Sequence, residues 1–371
     1  MNKFVVTIRC HNLIVVWIMK NIYLQILECG HDISELVLAT VTRTHGSTPQ
    51  KPGSSALFGE TGLLTGTVGG GVVEGRVHKL AVKALTTKLS GHYKFNLAND
   101  ISNKEEAICG GEISVLIDAN LKNQLAVLEQ LKVSMDQRHS GVLITMVTPY
   151  AEDCVLINRY WMSETYTPPL PKEFLEKIGP EVHKILSGGD SSDYRELEIG
   201  IPGEEPSSVF FLEPVFPPAH LIIAGAGHIG KSLSHLANML EFEVTVIDDR
   251  EEYASSENIP DADHIIVNEI GNAMKKITKT RDTYVVIVTR GHKDDAEALK
   301  SCIGTELAYI GMIGSKNKIA AMRNSFINNG WATTKQWEEI FAPVGVNIKS
   351  RTVEEIAVSV AAQLVLVRNS R

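Results

Sequence analysis

Cysteine is scarce in this chain of 371 residues: five are present, at Cys10, Cys29, Cys109, Cys154 and Cys302, and no two stand in a C-x-x-C spacing. An odd, scattered set argues against a disulfide framework and a structural zinc site, and reduced thiols fit a cytoplasmic protein. Long apolar runs are missing as well. Lys3, Arg9, His11 and Asn12 interrupt the apolar N-terminal stretch, and its uninterrupted run from Leu13 to Met19 has only seven residues. A membrane-spanning helix needs about 20. No small-residue cleavage site precedes Asn21. Residues 1–18 therefore read as an extension upstream of a start at Met19, and no membrane attachment is expected. Positive charge is in deficit: Lys plus Arg is 36 against 44 for Asp plus Glu, a formal net charge of -8. An acidic surface repels phosphate backbones, which argues against a general nucleic-acid binder. The first half of the chain has no obvious catalytic triad, metal cluster or carboxylate pair.

What is present is an ordinary globular composition, 44% hydrophobic and 22% charged, with 29 glycines gathered in clusters. The length suggests two or three domains. From Met19 the pattern is mixed α/β: a helix over Asn21 to Cys29, a buried strand over Leu36 to Thr42, a Gly/Pro/Thr-rich loop from Thr44 to Ser54, a helix from Val77 to Leu89 and a strand from Ile113 to Ile117. Residues 125–131 followed by 141–148 repeat a helix-then-strand pattern. Residues 149–218 are polar and proline-rich, with a strand at Ser208 to Leu212, and the linker is expected at 214–219. The first domain thus spans 19–213 and the second 220–371.

The second domain is regular. Strands at His220 to Ala224, Val244 to Ile247, Ile265 to Val267, Tyr284 to Val288 and Ala308 to Ile310 alternate with helices at Ile229 to Leu240, Ala273 to Lys279, Asp294 to Cys302 and Lys316 to Asn328. A last helix opens at Thr352 with Glu355 three residues on, a capping box. This alternation predicts a Rossmann-like, doubly wound parallel sheet. Its first strand runs into Gly225-Ala226-Gly227-His228-Ile229-Gly230, a G-x-G-x-x-G, and its second ends at Asp248, eighteen residues after Gly230. Here Gly225 allows the turn, Gly227 a close pyrophosphate, and Gly230 close helix packing, while Asp248 accepts from a ribose hydroxyl. Arg250 could hold a 2′-phosphate, so the pattern fits NAD and NADP alike. Thr289 to His292 and Gly311 to Lys316 follow neighbouring strands and share the same carboxyl edge, with Ser315 as a helix cap and Gly314 in an anion-binding nest. His292 reads equally as a site group and as a surface histidine. No residue stands out as a hydride-transfer acid or base.

A second glycine cluster lies in the first domain: Gly62, Gly66, Gly69, Gly70, Gly71 and Gly75, with Glu74 among them, and Cys109-Gly110-Gly111 ahead of a strand. Taken alone these glycines read as tight turns, and Cys109 as a buried small hydrophobe. The ordered set of motifs adds more. THGSTPQKPG, GTVGGGVVEG and CGGEISVLI resemble the N-terminal domain of the xanthine dehydrogenase accessory factors, the XdhC/CoxI family. IIAGAGHIGKSL, VTVIDDREEYA, VTRGHKDD, YIGMIGSKNK, APVGVNI and TVEEIAVSVAAQLVLVR resemble its C-terminal Rossmann domain. The likeness runs from about Glu35 to Arg368 and is faint over residues 121–217.

The resemblance implies a maturation factor that binds molybdenum cofactor, promotes its sulfuration with a cysteine desulfurase, and delivers it to a molybdenum hydroxylase such as xanthine dehydrogenase. It implies a non-catalytic chaperone and is compatible with a homodimer. The cofactor would meet Gly69, Gly70, Gly71, Glu74, Cys109, Gly110 and Gly111, with the Cys109 thiolate as a soft contact to the metal. Family members often carry a cysteine where Gly71 stands, which leaves Cys109 as the family-like thiol. A nucleotide would meet Gly225, Gly227, Gly230, Asp248, Arg250, His292, Gly314 and Ser315. Two rival readings remain, an NAD(P)-dependent oxidoreductase and a nucleotide-binding scaffold without chemistry.

Overall fold

The structure is a computed structural model that describes residues 21–28, 32–97, 111–151, 153–187, 194–200 and 208–370. The expected extension 1–18, Cys109 and Gly110 lie outside the described residues. The chain divides into two compact units between Pro217 and Pro218.

Among the described residues the first unit holds nine strands: β1 (Val37–His45), β2 (Ser55–Gly59), β3 (Gly62–Gly66), β4 (Gly91–Asn96), β5 (Glu112–Asp118), β6 (Gly141–Ala151), β7 (Cys154–Ser163), β8 (Arg195–Ile199) and β9 (Ser208–Val215). They form one antiparallel sheet in the order β3-β2-β1-β5-β4-β7-β6-β9-β8. Helices α1 (Ile22–Glu28), α2 (Gly71–Thr87), α3 (Leu125–Asp136) and α4 (Lys172–Leu186) cover it. Helix α2 buries Val73, Val77, Ala81 and Ala84, spaced by three and four, against β1, β2 and β5. Helix α4 does the same with Phe174, Ile178, Val182 and Ile185 against β6 and β9, each side chain contributing roughly 1.5–3 kcal/mol on burial. Helices α1 and α3 share a separate core with Leu38, Leu143 and Trp161.

Among the boundaries that differ from the sequence reading, two bear on the glycine cluster and the linker. Helix α2 starts at Gly71, six residues before Val77, so part of the glycine cluster is helical. Strand β9 runs on through Pro214 and Val215, which pair with Val142 and Gly141, so the linker begins later than residue 214. Pro214 has no N–H to give, and the partner register accommodates it near the strand's end.

The second unit is a five-stranded parallel sheet of β10 (His220–Ala224), β11 (Glu243–Asp248), β12 (His264–Val267), β13 (Thr283–Ile287) and β14 (Tyr309–Met312), in the order β12-β11-β10-β13-β14. Helices α5 (His228–Met239), α6 (Ile270–Lys276), α7 (His292–Lys300), α8 (Lys316–Asn328), α9 (Thr334–Glu338) and α10 (Val353–Asn369) complete it. Leu233, Ala237, Val360 and Leu364 of α5 and α10 pack on Leu221, Ile223 and Val246. Met274, Leu299, Met322 and Phe326 of α6, α7 and α8 pack on Ile222, Val285 and Ile287. This is a doubly wound sheet, and the order reverses between β10 and β13, beside the glycine turn. No helix of the described residues is long and apolar enough to cross a membrane.

Candidate functional site

In the second unit the three fingerprint glycines have three different surroundings. Gly225 follows β10 at φ +117, and a Cβ there would meet the Val288 carbonyl oxygen at 2.5 Å. A Cβ on Gly230 would lie 1.9 Å from the Gly225 carbonyl oxygen, so α5 packs on the turn with no room for a side chain. Around Gly227, the N-cap of α5, a Cβ meets nothing within 4 Å. The backbone there is accessible, as close approach by a phosphate requires.

Asp248 ends β11 with its side chain 4% exposed. One oxygen accepts from the Ala226 N–H at 2.8 Å and from Arg250 Nη2 at 3.0 Å, and the other from Arg250 N at 3.1 Å and Nε at 2.8 Å. Burial opposes its charged form, but the hydrogen bonds from Arg250 and Ala226 outweigh it and hold the carboxyl below the usual range. The Arg250 guanidinium also lies 3.7 Å from the centre of the Tyr253 ring. The two residues offered as alternative readers of NAD and NADP are thus partners, with Arg250 committed to Asp248 and Tyr253.

The remaining candidates of this crevice occupy the ends of neighbouring strands. His292 is exposed at the first position of α7, and Gly291 caps that helix. Ser315 caps α8 by accepting from Lys318 N at 3.3 Å, and a Cβ on Gly314 would meet Lys318 at 3.2 Å. Sequence reasoning missed what joins the two loops. Asp295, fully buried, accepts from Thr289 Oγ1 at 2.6 Å and forms an ion pair with Lys318. Its signal was an acid in the first turn of α7 whose neighbours read as surface.

In the first unit the glycine clusters converge through one loop. A Cβ on Gly69 would lie 2.6 Å from Pro49, and one on Gly111 would lie 2.5 Å from the carbonyl oxygens of His45 and Ser47. The loop after β1 is therefore held between them. Gly69, Gly70 and Gly71 adopt φ of +129, +66 and +54, while Gly70 and Gly71 face open space. Glu74 braces this turn: its Oε2 accepts from Thr67 Oγ1 at 2.8 Å and from the Gly70 N–H at 3.3 Å.

Beside this loop lies a cleft of about 400 Å³ lined by Thr42, Arg43, Thr44, His45, Pro52, Lys94, Glu112, Ser114, Tyr194 and Glu196. It exists because the sheet curls. Strands β1 and β8 are far apart in the sheet order, yet the Arg43 guanidinium on β1 is bound by the Glu196 carboxylate on β8. Lys94 Nζ lies 2.7 Å from Glu112 Oε2. Thr42 Oγ1 is 2.8 Å from His92 Nε2. Burial, with the Arg43 charge nearby, pushes that imidazole down to about 4. Sequence reasoning missed this cleft; the signal was the period-two polar pattern of Arg43 and His45 on β1 and of Glu112 and Ser114 on β5. Among the described residues no group of three or more His, Cys, Asp or Glu could hold a metal ion.

Comparison with known proteins matches these two regions. A family model described as the XdhC and CoxI family matches residues 34–96, and one described as the XdhC Rossmann domain matches residues 221–364. The chain is 25% identical over 353 residues to a Bacillus subtilis (strain 168) protein named as a probable subunit of xanthine dehydrogenase, over 94% of this chain and 98% of the relative. It is 30% identical over 151 residues to the uncharacterized protein YqeB of Escherichia coli (strain K12), over 40% of this chain and 27% of the relative. A crystal structure described as a xanthine dehydrogenase from Bacillus halodurans matches with a TM-score of 0.74 at 26% identity, over 94% of this chain and 95% of that one. With both family models matched in order, over more than half of its length, the chain belongs to the XdhC and CoxI family.

Proposed function

We propose that the chain is an accessory factor of a xanthine dehydrogenase-like molybdenum hydroxylase. It carries molybdenum cofactor as cargo, assists its sulfuration together with a cysteine desulfurase, and hands it to the apo-enzyme. The observation that carries this reading is the convergence of Gly69 and Gly111 on one loop, next to a polar cleft. Two glycine motifs far apart in sequence pack on one loop, and the open space at Gly70 and Gly71, at the N-terminus of α2, suits the phosphate of a pterin cargo. The xanthine dehydrogenase names of the relatives support the choice of client. Cys109 precedes Gly111 by two residues and is the soft donor for the metal or its sulfido ligand. The second unit contributes a nucleotide site, with phosphates at Gly225 to Gly230 and the Asp248–Arg250 pair beside the ribose. We assign this site a binding role. Turnover of a nicotinamide cofactor with a small substrate would instead favour an NAD(P)-dependent oxidoreductase.

Co-production of the chain with a xanthine dehydrogenase client tests the reading. Cys109→Ser is expected to leave the melting temperature unchanged, to lower cofactor retention and to yield a less active client. Unchanged retention and unchanged client activation would remove Cys109 from the site.

A further inference from the structure

We infer that the cleft between the β1–β5–β4 face and β8 binds a 2-aminopyrimidin-4-one ring, the edge shared by pterins and guanine, and that Glu112 reads that edge. The inference deepens the cargo reading and rests on it only for the natural ligand, the pterin of the molybdenum cofactor.

The wall is built by strand register. Arg43, Ser114 and Lys94 stand in one row across β1, β5 and β4, and His45, Glu112 and Asn96 stand in the next row on the same face. Tyr194 and Glu196 close the opposite side. The Tyr194 ring stacks on Phe211 at 5.9 Å between centroids, and a Cβ on Gly53 would touch it at 3.2 Å. The volume of about 400 Å³ lies in the range of small-molecule sites and admits a bicyclic ring.

Charge selects the ligand. Arg43 and Lys94 are matched by Glu196 and Glu112, so a phosphate entering here would face two carboxylates. A neutral ring that presents donors on one edge and acceptors on another meets no such penalty. The 2-amino group and the adjacent ring N–H of an aminopyrimidinone have the spacing of one guanidinium edge, which a carboxylate accepts in a bidentate pair. The ring carbonyl and nitrogens then accept from Arg43 and Ser114. Of the two carboxylates, Glu196 is gripped by Arg43 through Nε and Nη2. Glu112 is held by Lys94, whose side chain is 64% exposed, and by a long 3.4 Å contact from Asn96 Nδ2. An exposed lysine–glutamate pair of this kind exchanges readily, so Glu112 is the carboxylate available to an incoming ring. The phosphate end of the cargo falls to the open turn at Gly70 and Gly71, where α2 begins.

The test is a fluorescence titration of the full chain with 6-hydroxymethylpterin, which carries neither metal nor phosphate. Saturable binding to the parent is expected. 6-Hydroxymethyllumazine, which differs only by an oxo group in place of the 2-amino group, is expected to bind the same parent at least tenfold more weakly, a comparison that needs no variant to fold. Glu112→Gln is expected to lose at least tenfold in pterin affinity, and Glu112→Asp to lose less. No pterin binding, or equal binding of the lumazine, overturns the proposal, as does full pterin affinity in a folded Glu112→Gln chain. Guanosine binding tighter than the pterin overturns the pterin assignment. Pterin binding through Glu112 in a chain that retains no molybdenum would uphold the ring site and reject the cargo reading. Cofactor retention indifferent to Glu112 would do the reverse.

Discussion

Arg159 and Asp118 form an ion pair inside the first unit, with side chains 3% and 1% exposed. Gln124 joins them by accepting from the Arg159 backbone N–H at 3.0 Å. Removing one partner strands a buried charge, at about 3–5 kcal/mol. Arg159→Ala is therefore expected to lower unfolding stability by that amount, as read by chemical denaturation, and a loss below about 1 kcal/mol would contradict the pairing. Nearby, Glu213 accepts from the Tyr23 hydroxyl. Burial pushes its carboxyl from 4.5 up to about 7, against the opposing pulls of Tyr23 and Arg159. Because the folded value lies above the unfolded one, the stabilising contribution is full below about pH 4.5 and is lost as pH rises through 7. The parent should lose roughly 1–3 kcal/mol of first-unit stability across that window. Glu213→Gln cannot titrate, so its melting temperature relative to the parent should improve from pH 5 to pH 8. A difference that is flat or falls with pH would refute the assignment. None of these groups was legible in the sequence, because burial of a charge depends on which strands meet, and residues on α1, β5, β7 and β9 meet only in the fold.

Elements were legible where local signals agree. Helix α8 begins and ends where its Ser315 cap and apolar spacing place it, and α10 begins at the Thr352–Glu355 capping box. The parallel strands of the second unit are short buried runs bounded by turns, and each was found within two residues of its ends. In the first unit α4 was hidden by Gly179-Pro180, although Phe174, Ile178, Val182 and Ile185 hold one face. Pro180 is exposed in the helix, so packing of the buried face outweighs a residue that disfavours helix locally. Strand β7 was hidden because Asn158, Arg159 and Tyr160 interrupt its apolar residues; the partner for Arg159 is the distant Asp118. The fingerprint glycines were legible together with their separate roles. Gly227→Val should abolish binding of a nucleotide such as NAD while circular dichroism stays native, since the space around Gly227 is open in the protein itself. Gly230→Ala should instead destabilise the second unit, by roughly 1–3 kcal/mol, because its Cβ would sit against the Gly225 carbonyl. Equal thermal stability of the two variants would show that the glycines are not divided in this way. The partnership of Asp248 with Arg250 was not legible, since two charges so near in sequence read equally well as independent ligands.

At the scale of the whole molecule, the chain joins an antiparallel sheet that curls around a polar cleft to a doubly wound sheet with a glycine crevice. The order of motifs along the chain disclosed the family, while the cleft was disclosed only by the register of β1, β4 and β5 and the approach of β8. The division of labour proposed for these parts places the ring of the cargo in the cleft, its phosphate at the glycine loops and a nucleotide in the crevice. That arrangement requires the chain to carry molybdenum cofactor. The most direct measurement is metal and pterin analysis of the full chain purified from a molybdate-fed host, beside a tungstate-fed control. Molybdenum and a phosphorylated pterin are expected in near-equal amounts, with cofactor that passes to apo-hydroxylase and restores its activity. Protein that emerges free of both molybdenum and pterin, and that leaves apo-hydroxylase inactive when loaded with cofactor, would contradict the arrangement.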